Sequence, residues 1–280
     1  MEQAVASRTA LSVALRRAAH QIYGSPVVFN DPLAVGILGA AYAEQLRRTP
    51  LRPDRPFSTA LRAFLVARSR YAEDNLKRAA ARGVEQYVLL GAGLDTFAYR
   101  NPFAKLRVFE VDHPATQQWK RELLHRNNIA IPESIAYTPV DFERQSLAEG
   151  LCSAGFDRLA PAFFAWLGVV PYLTLEAFRA TLGFISAQRP GSGLTLDYGQ
   201  PRSTLPLLER MALDSLASRV EKAGEPFQLF FTPPEIAAEL SRFHSIEDLG
   251  AAEINARYFS GRSDQLKMRG SAARFLSAWL

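Results

Sequence analysis

The sequence predicts an α/β fold, a mainly parallel sheet flanked by helices, and three observations carry that reading. Short apolar runs alternate with stretches of helical periodicity along the middle of the chain. The first of these runs ends abruptly in Gly91-Ala92-Gly93, and the next, about twenty residues on, delivers the carboxylates Glu110 and Asp112. Alternation of this kind marks β-α units. Glycines let backbone approach a ligand where a Cβ would collide, and an acid at the tip of a second strand can accept two hydrogen bonds from ribose hydroxyls. The layout is that of a nucleoside pocket.

Composition fits one large domain. With 280 residues, 48% hydrophobic and 22% charged, the chain can bury a substantial core. The only cysteine, Cys152, has no intramolecular partner, which favours a reducing, cytoplasmic setting. No apolar stretch approaches the ~20 residues needed to cross a bilayer, so no membrane association is expected. The N-terminus lacks a continuous apolar signal core and reads as an amphipathic helix. A formal net charge of +5 could suit nucleic acid. The basic residues, however, fall in the isolated pairs Arg16-Arg17, Arg47-Arg48, Lys77-Arg78 and Lys120-Arg121, each placed where a solvated helix face would be. Nucleic-acid binding is disfavoured, and a small-molecule substrate is expected. Oligomeric state is not legible.

The elements follow in order. Residues 6–20 read as a helix, followed by the turn-rich segment Ser25 to Ala34. From Phe57 to Ala81 the apolar positions Phe57, Leu61, Phe64, Leu65, Tyr71, Leu76 and Ala80 recur at helical spacing. Strands are predicted at Glu85 to Leu90, Leu106 to Val111, Ala136 to Val140, Ala162 to Val170 and Gly193 to Tyr198. Ala115, Trp119 and Leu123 place a helix after the second strand, and Thr174 caps another over Leu175 to Gln188. Thr232, with prolines at the first helical positions and Glu235 three residues on, is a capping box. Ser245 to Leu249 and Arg274 to Leu280 complete a seven-stranded sheet.

The glycine turn discriminates between cofactors. A dinucleotide fold wants G-x-G-x-x-G opening into a helix, but the third position here is Thr96, and Asn101-Pro102 interrupts any long helix that would face a pyrophosphate. S-adenosylmethionine fits better: glycines beside its methionyl part, a carboxylate for its ribose, and Asp141 near adenine. Glu110 and Asp112 are expected on opposite faces of their strand, so that only Asp112 reaches the ligand. Arg68 read by itself would be an exposed helix residue pairing with Glu73 or Asp74, Gly91 and Gly93 could serve only a tight turn, and Asp141 could cap the next helix. The histidines form no metal spacing, and no metal is expected.

The ordered segments NDPLA (Asn30 to Ala34), ARSRYAEDNL (Ala67 to Leu76), LLGAGLDTFAYR (Leu89 to Arg100), FEVDHP, YTPVDF (Tyr137 to Phe142), FFAWLGVVPYLT (Phe163 to Thr174) and GRSDQL (Gly261 to Leu266) together resemble the leucine carboxyl methyltransferase family, in its bacterial branch. The resemblance implies a Rossmann-like class I methyltransferase fold that uses S-adenosyl-L-methionine and leaves S-adenosyl-L-homocysteine. It implies that Arg68 pairs with the carboxylate of the methionine moiety and that Gly91, Ala92 and Gly93 lie against that moiety. Asp112 would hold the ribose, with Glu110 as the substitute, and Asp141 and Phe142 would flank adenine. Where protein-phosphatase-modifying relatives carry a glutamate at the end of the fourth strand, this chain has Leu167, which touches either the cofactor or the recognition of substrate.

An in-line displacement by a carboxylate or hydroxyl oxygen is the expected reaction. A carboxylate needs no general base at neutral pH, and no His-Asp base pair is evident. Tyr172 and Tyr198 stand just beyond the fourth and fifth strands, and Tyr172 is the candidate for positioning substrate. The domain divides into an N-terminal helical region (1–56), a cofactor-binding core (57–199), a lid insertion (200–244) and C-terminal strands (245–280). The two segments outside the core are expected to select the acceptor, a small specialised metabolite of polyketide or fatty-acid type. Two further classes stay open: a nicotinamide-dependent dehydrogenase, and a non-catalytic binding homologue in which Leu167 marks lost chemistry.

Overall fold

The computed structural model describes residues 8–48, 56–140, 145–222 and 224–280. Seven strands form one sheet: β1 Gln86–Leu90, β2 Arg107–Asp112, β3 Ile135–Pro139, β4 Ala162–Trp166, β5 Gly193–Gly199, β6 Ser245–Leu249 and β7 Ala273–Trp279. Their order is β3-β2-β1-β4-β5-β7-β6. The first five run parallel, while β7 is antiparallel to both β5 and β6. Strand order reverses between β1 and β4, and a crevice opens beyond the carboxyl ends of strands at such a point.

Helices cover both faces: α1 Arg8–Tyr23, α2 Ala40–Arg48, α3 Pro56–Ala81, α4 Pro114–Arg126, α5 Leu147–Ser153, α6 Leu175–Ser186, α7 Leu207–Glu221, α8 Pro233–Glu239 and α9 Ala251–Tyr258. Side chains alternate across a strand, so β1 sends Val88 and Leu90 to one side and Tyr87 and Leu89 to the other. The first pair packs in a core with Leu151 of α5, Phe178, Leu182 and Ile185 of α6, and Ile236 of α8. The second pair packs with Leu76 and Ala79 of α3. Farther along α3, Ala63, Val66 and Tyr71 bury Phe275 of β7.

Local signals start the helices where the sequence predicts. The Thr174 hydroxyl accepts from the Ala177 amide at 3.2 Å. Glu235 closes the capping box by accepting from both the amide and the hydroxyl of Thr232, each at 2.7 Å. The helix after β3 has Ser146, paired with Glu149, as its cap; Asp141, the alternative cap, lies outside the described residues.

One expectation changes. The fourth strand stops at Trp166 rather than Val170, because Gly168 takes φ +69° and the chain then enters a 3₁₀ turn, Val170–Tyr172, containing Pro171. The insertion after β5 also contains a helix, α7, that buries none of its side chains. Leu207, Leu208 and Met211 on it are 70%, 74% and 60% exposed.

Candidate functional site

The turn after β1 is built for close approach. Gly91 has φ +69° and Gly93 φ +48°, a region that favours glycine. The amides of Gly91 and Ala92 both donate to the Val111 carbonyl, at 2.9 and 3.0 Å, so the turn is tied to the end of β2. A Cβ on Gly91 would stand 2.4 Å from Val169 Cγ2. The Gly93 amide donates to Asp112 Oδ2 at 2.6 Å, and the His113 amide donates to Oδ1 at 2.7 Å. Burial pushes the Asp112 carboxyl up from its ordinary value, against the pull of those two amides. A carboxylate offers about four lone-pair sites. Two amides leave acceptor capacity for a pair of vicinal hydroxyls.

These groups border a cleft of about 1000 Å³ at the switch point of the sheet. Arg68, Gly91, Ala92, Gly93, Asp112, Leu167 and Tyr172 all line it. Arg68 is buried rather than exposed, and its partner is neither Glu73 nor Asp74. Nη1 binds Asp197 Oδ2 of β5 at 3.2 Å, while Glu73 is taken by Arg100 and Asp74 by Arg70. Asp197 Oδ1 also accepts from the Gly168 amide at 2.6 Å. A Cβ on Gly168 would lie 2.5 Å from Arg68 Nη1. Arg68 Nε is buried without a hydrogen-bond partner among the described residues.

Glu110 does not line the cleft. It lies on the same side of β2 as Asp112, as residues two apart in a strand must; depth separates them. Asp112 is the last residue of the strand, whereas Glu110 sits inside it, fully buried, with Lys120 Nζ of α4 at 2.7 Å and the Tyr99 hydroxyl at 3.2 Å. Burial raises its carboxyl, which the Lys120 charge opposes. Its role here is to hold α4 on the sheet. Asp141 and Phe142 lie outside the described residues.

One member of each of two basic pairs read as solvated is buried. Lys120 is 1% exposed against Glu110, and Arg17 is 4% exposed against Asp31 and Asp95. Arg17 reaches the cleft from α1, together with Thr9, Ala10 and Val13. None of the four was picked out from the sequence; the one available signal was Arg17's place on the same helical side as Ala10, Val13 and Ala14.

At the far end of the cleft stand Tyr172 and Glu225. The chain carrying Glu225 is fastened down where Gln228 donates its backbone amide to the Pro171 carbonyl at 2.7 Å and its side chain to the Tyr172 carbonyl at 2.9 Å. Burial, with the nearby Glu225 charge, pushes the Tyr172 phenol up to about 12. At neutral pH it keeps its proton. Leu167 offers this end an apolar wall.

A zwitterionic amino acid joined to a nucleoside fits these groups: Arg68 for a carboxylate, the glycine turn for close backbone approach, Asp112 for ribose. The fold and cleft thus define a Rossmann-like, S-adenosyl-L-methionine-dependent methyltransferase. Residues 10–186 match the family model for leucine carboxyl methyltransferase, and the chain belongs to that family. Among its relatives is YktD of Bacillus subtilis, a proposed S-adenosyl-L-methionine-dependent methyltransferase, 32% identical over 95% of each chain. Another proposed enzyme of this kind, from Mycobacteroides abscessus, is 35% identical over 73% of this chain and 67% of its own. Solved structures share the fold. A proposed methyltransferase from Thermobifida fusca superposes with a TM-score of 0.58 at 17% identity, covering 95% of this chain and 93% of that one. A DUF574 family protein from Streptomyces avermitilis gives 0.55 at 18% identity, covering 94% and 96%. No helix among the described residues is long and apolar enough to cross a membrane.

Replacing Asp112 by alanine is expected to weaken S-adenosylhomocysteine binding by about ten- to a hundredfold, the worth of charge-assisted hydrogen bonds of about 1.5 to 3 kcal/mol. Calorimetric titration measures it. Unchanged affinity would remove the ribose role from this residue.

Proposed function

We propose that this chain transfers a methyl group from S-adenosyl-L-methionine to an oxygen of a small molecule, a carboxylate or a hydroxyl. The observation that carries the reading is one continuous cleft running from Asp112 and the glycine turn to Tyr172, Thr9 and Glu225. A donor held at the first end would present its methyl toward the second. The cofactor supplies a carbon on a sulfonium, already a good leaving group.

The chain's own task is alignment and exclusion of water. Holding reactants in near-attack geometry can lower a barrier by about 7 to 11 kcal/mol. Arg68 and Asp112 would fix the two ends of the donor, and Asp141 and Phe142 are assigned to its adenine. Tyr172 would orient the acceptor by donating a hydrogen bond, since its raised phenol does not serve as a base at neutral pH. Leu167, Val13 and Val169 would keep water from the reacting atoms. We assign acceptor selection to the N-terminal region 1–56 and the insertion 200–244. The apolar lining supports a small specialised metabolite, handled in a reducing, cytoplasmic setting, as the substrate.

Titration with S-adenosylhomocysteine and with NAD, paired with release of label from methyl-tritiated S-adenosylmethionine, tests this. We expect homocysteine-derivative binding, no NAD binding, and label in an organic-soluble product. Label that alkali releases as methanol marks an ester, and alkali-stable label an ether. Binding without any transfer across carboxylate and hydroxyl acceptors would favour a non-catalytic role. NAD binding would favour a dehydrogenase.

A further inference from the structure

We infer that Arg17 is a positioning residue that latches helix α1 down as the roof of the cofactor cleft, and that this latch sets how fast the cofactor enters and leaves. The inference rests on the reading of the cleft as an S-adenosylmethionine site. Four sequence motifs that no step of the proposed reaction uses converge on it: the aspartate of NDP, the glutamate of AED, the DT pair and the arginine of YR.

Arg17 is the centre of the network. Its Nη1 binds Asp95 at 3.0 Å, and its Nη2 binds Asp31 at 2.5 Å and Thr96 Oγ1 at 3.0 Å. Thr96 in turn donates to Asp31 Oδ1 at 2.7 Å. Arg100 reaches Asp31 at 3.3 Å and Thr96 at 3.2 Å, and binds Glu73 of α3 at 3.0 Å. Burial alone would raise the Asp95 carboxyl, but the charges of Arg17, Arg100 and Lys120 hold it below its ordinary value. Three carboxylates and two guanidiniums thus join α1, the NDP segment, α3 and the glycine turn.

What the latch holds is close to the glycine turn. α1 faces the core through the small, buried Ala14, Ala18 and Ala19, with Leu11, Leu15, Ile22 and Tyr23 packed half-buried beside them. A 16-residue helix draws most of its stability from packing and from its side-chain partners. It lies directly on the turn: a Cβ placed on Gly93 would meet the Ala10 Cβ at 3.2 Å. The charged network adds to that apolar grip where α1 crosses the glycine turn, through Arg17 to Asp95 and Thr96.

A roof that must lift adds one barrier shared by entry and exit. Loosening it raises association and dissociation rates together and leaves the equilibrium constant nearly fixed, whereas loss of a ligand contact acts mostly on dissociation. Asp31 is the residue to change, because it is fully buried, holds Arg17, and does not border the cleft. In the full chain, Asp31→Asn should raise both rate constants for S-adenosylhomocysteine, read by stopped flow, by about tenfold, with Kd moving less than about threefold. Unchanged rates would overturn the latch, as would a rise in dissociation alone that accounts for all of a weakened Kd. Should the variant fail to fold, the wild-type chain decides by amide hydrogen exchange. Saturating S-adenosylhomocysteine should slow exchange across residues 8–23, and exchange indifferent to the ligand would overturn the proposal. If the wild type does not bind S-adenosylhomocysteine at all, the cofactor reading itself fails, which binding with unchanged rates would not imply.

Discussion

Replacing Arg68 by alanine is expected to weaken S-adenosylhomocysteine binding a hundredfold or more while leaving methylthioadenosine, which lacks the amino-acid moiety, nearly unaffected. Arg68 is 8% exposed and lines the cleft, with Nη1 committed to Asp197. With its planar fork, a guanidinium is the side-chain group best suited to bind a carboxylate. Two charge-assisted bonds of about 1.5 to 3 kcal/mol each would exceed a hundredfold if both were lost. The substitution also strands Asp197, and breaking one side of a buried ion pair costs about 3 to 5 kcal/mol of stability. Circular dichroism and melting of the unliganded variant therefore belong beside the titrations. Arg68→Lys keeps the charge without the fork and should fall between the two. Equal losses for the two ligands would show that Arg68 acts on the fold and not on the methionine carboxylate.

Much of the architecture was legible because local patterns and tertiary fold agree. The strand positions followed from apolar runs, the Thr174 and Thr232 caps from residue type and spacing, and the glycine turn with Asp112 from the distance between two strand ends. What stayed hidden was burial of charge. Arg17 and Lys120 each belong to a basic pair on a helix whose other positions are polar enough to look solvated, and nothing local reveals that Asp31 or Glu110 waits across the interface. Arg68 misled in the same way, with Glu73 and Asp74 near in sequence and its true partner, Asp197, 129 residues away. The overlong fourth strand had a different cause. Apolar residues continue to Val170, but Gly168 turns left-handed to clear the Arg68 guanidinium, a constraint set by a distant side chain. Long-range ion pairs decide the details of this site, and they have no period.

Acidification should loosen this same corner of the molecule through His20. Its ring is fully buried at the end of α1, its Nε2 accepts from the Val28 amide at 2.9 Å, and Nδ1 has no partner among the described residues. Gly24 covers the ring so closely that a Cβ there would stand 2.8 Å from Nδ1. Burial first, then the charges of Arg62 and Arg262 against the weaker opposing pull of Asp264, bring the imidazole down from 6.5 to about 4. In the unfolded chain the ring takes up its proton near pH 6.5, so between there and pH 4 the unfolded state binds more protons and stability falls with falling pH. At about 1.4 kcal/mol per pH unit, the loss across that window is about 3 kcal/mol. It is complete at and below pH 4, and absent above about pH 7. Urea midpoints of the wild type should drop through this range, and those of His20→Gln, whose amide oxygen can still accept from Val28, should drop by that much less. A His20 ring proton that titrates near pH 6.5 by NMR in the folded chain would contradict the argument. Because protonation also removes the acceptor for Val28, beside the Asp31 segment that anchors α1, the helix should begin to exchange its amides faster before the sheet does.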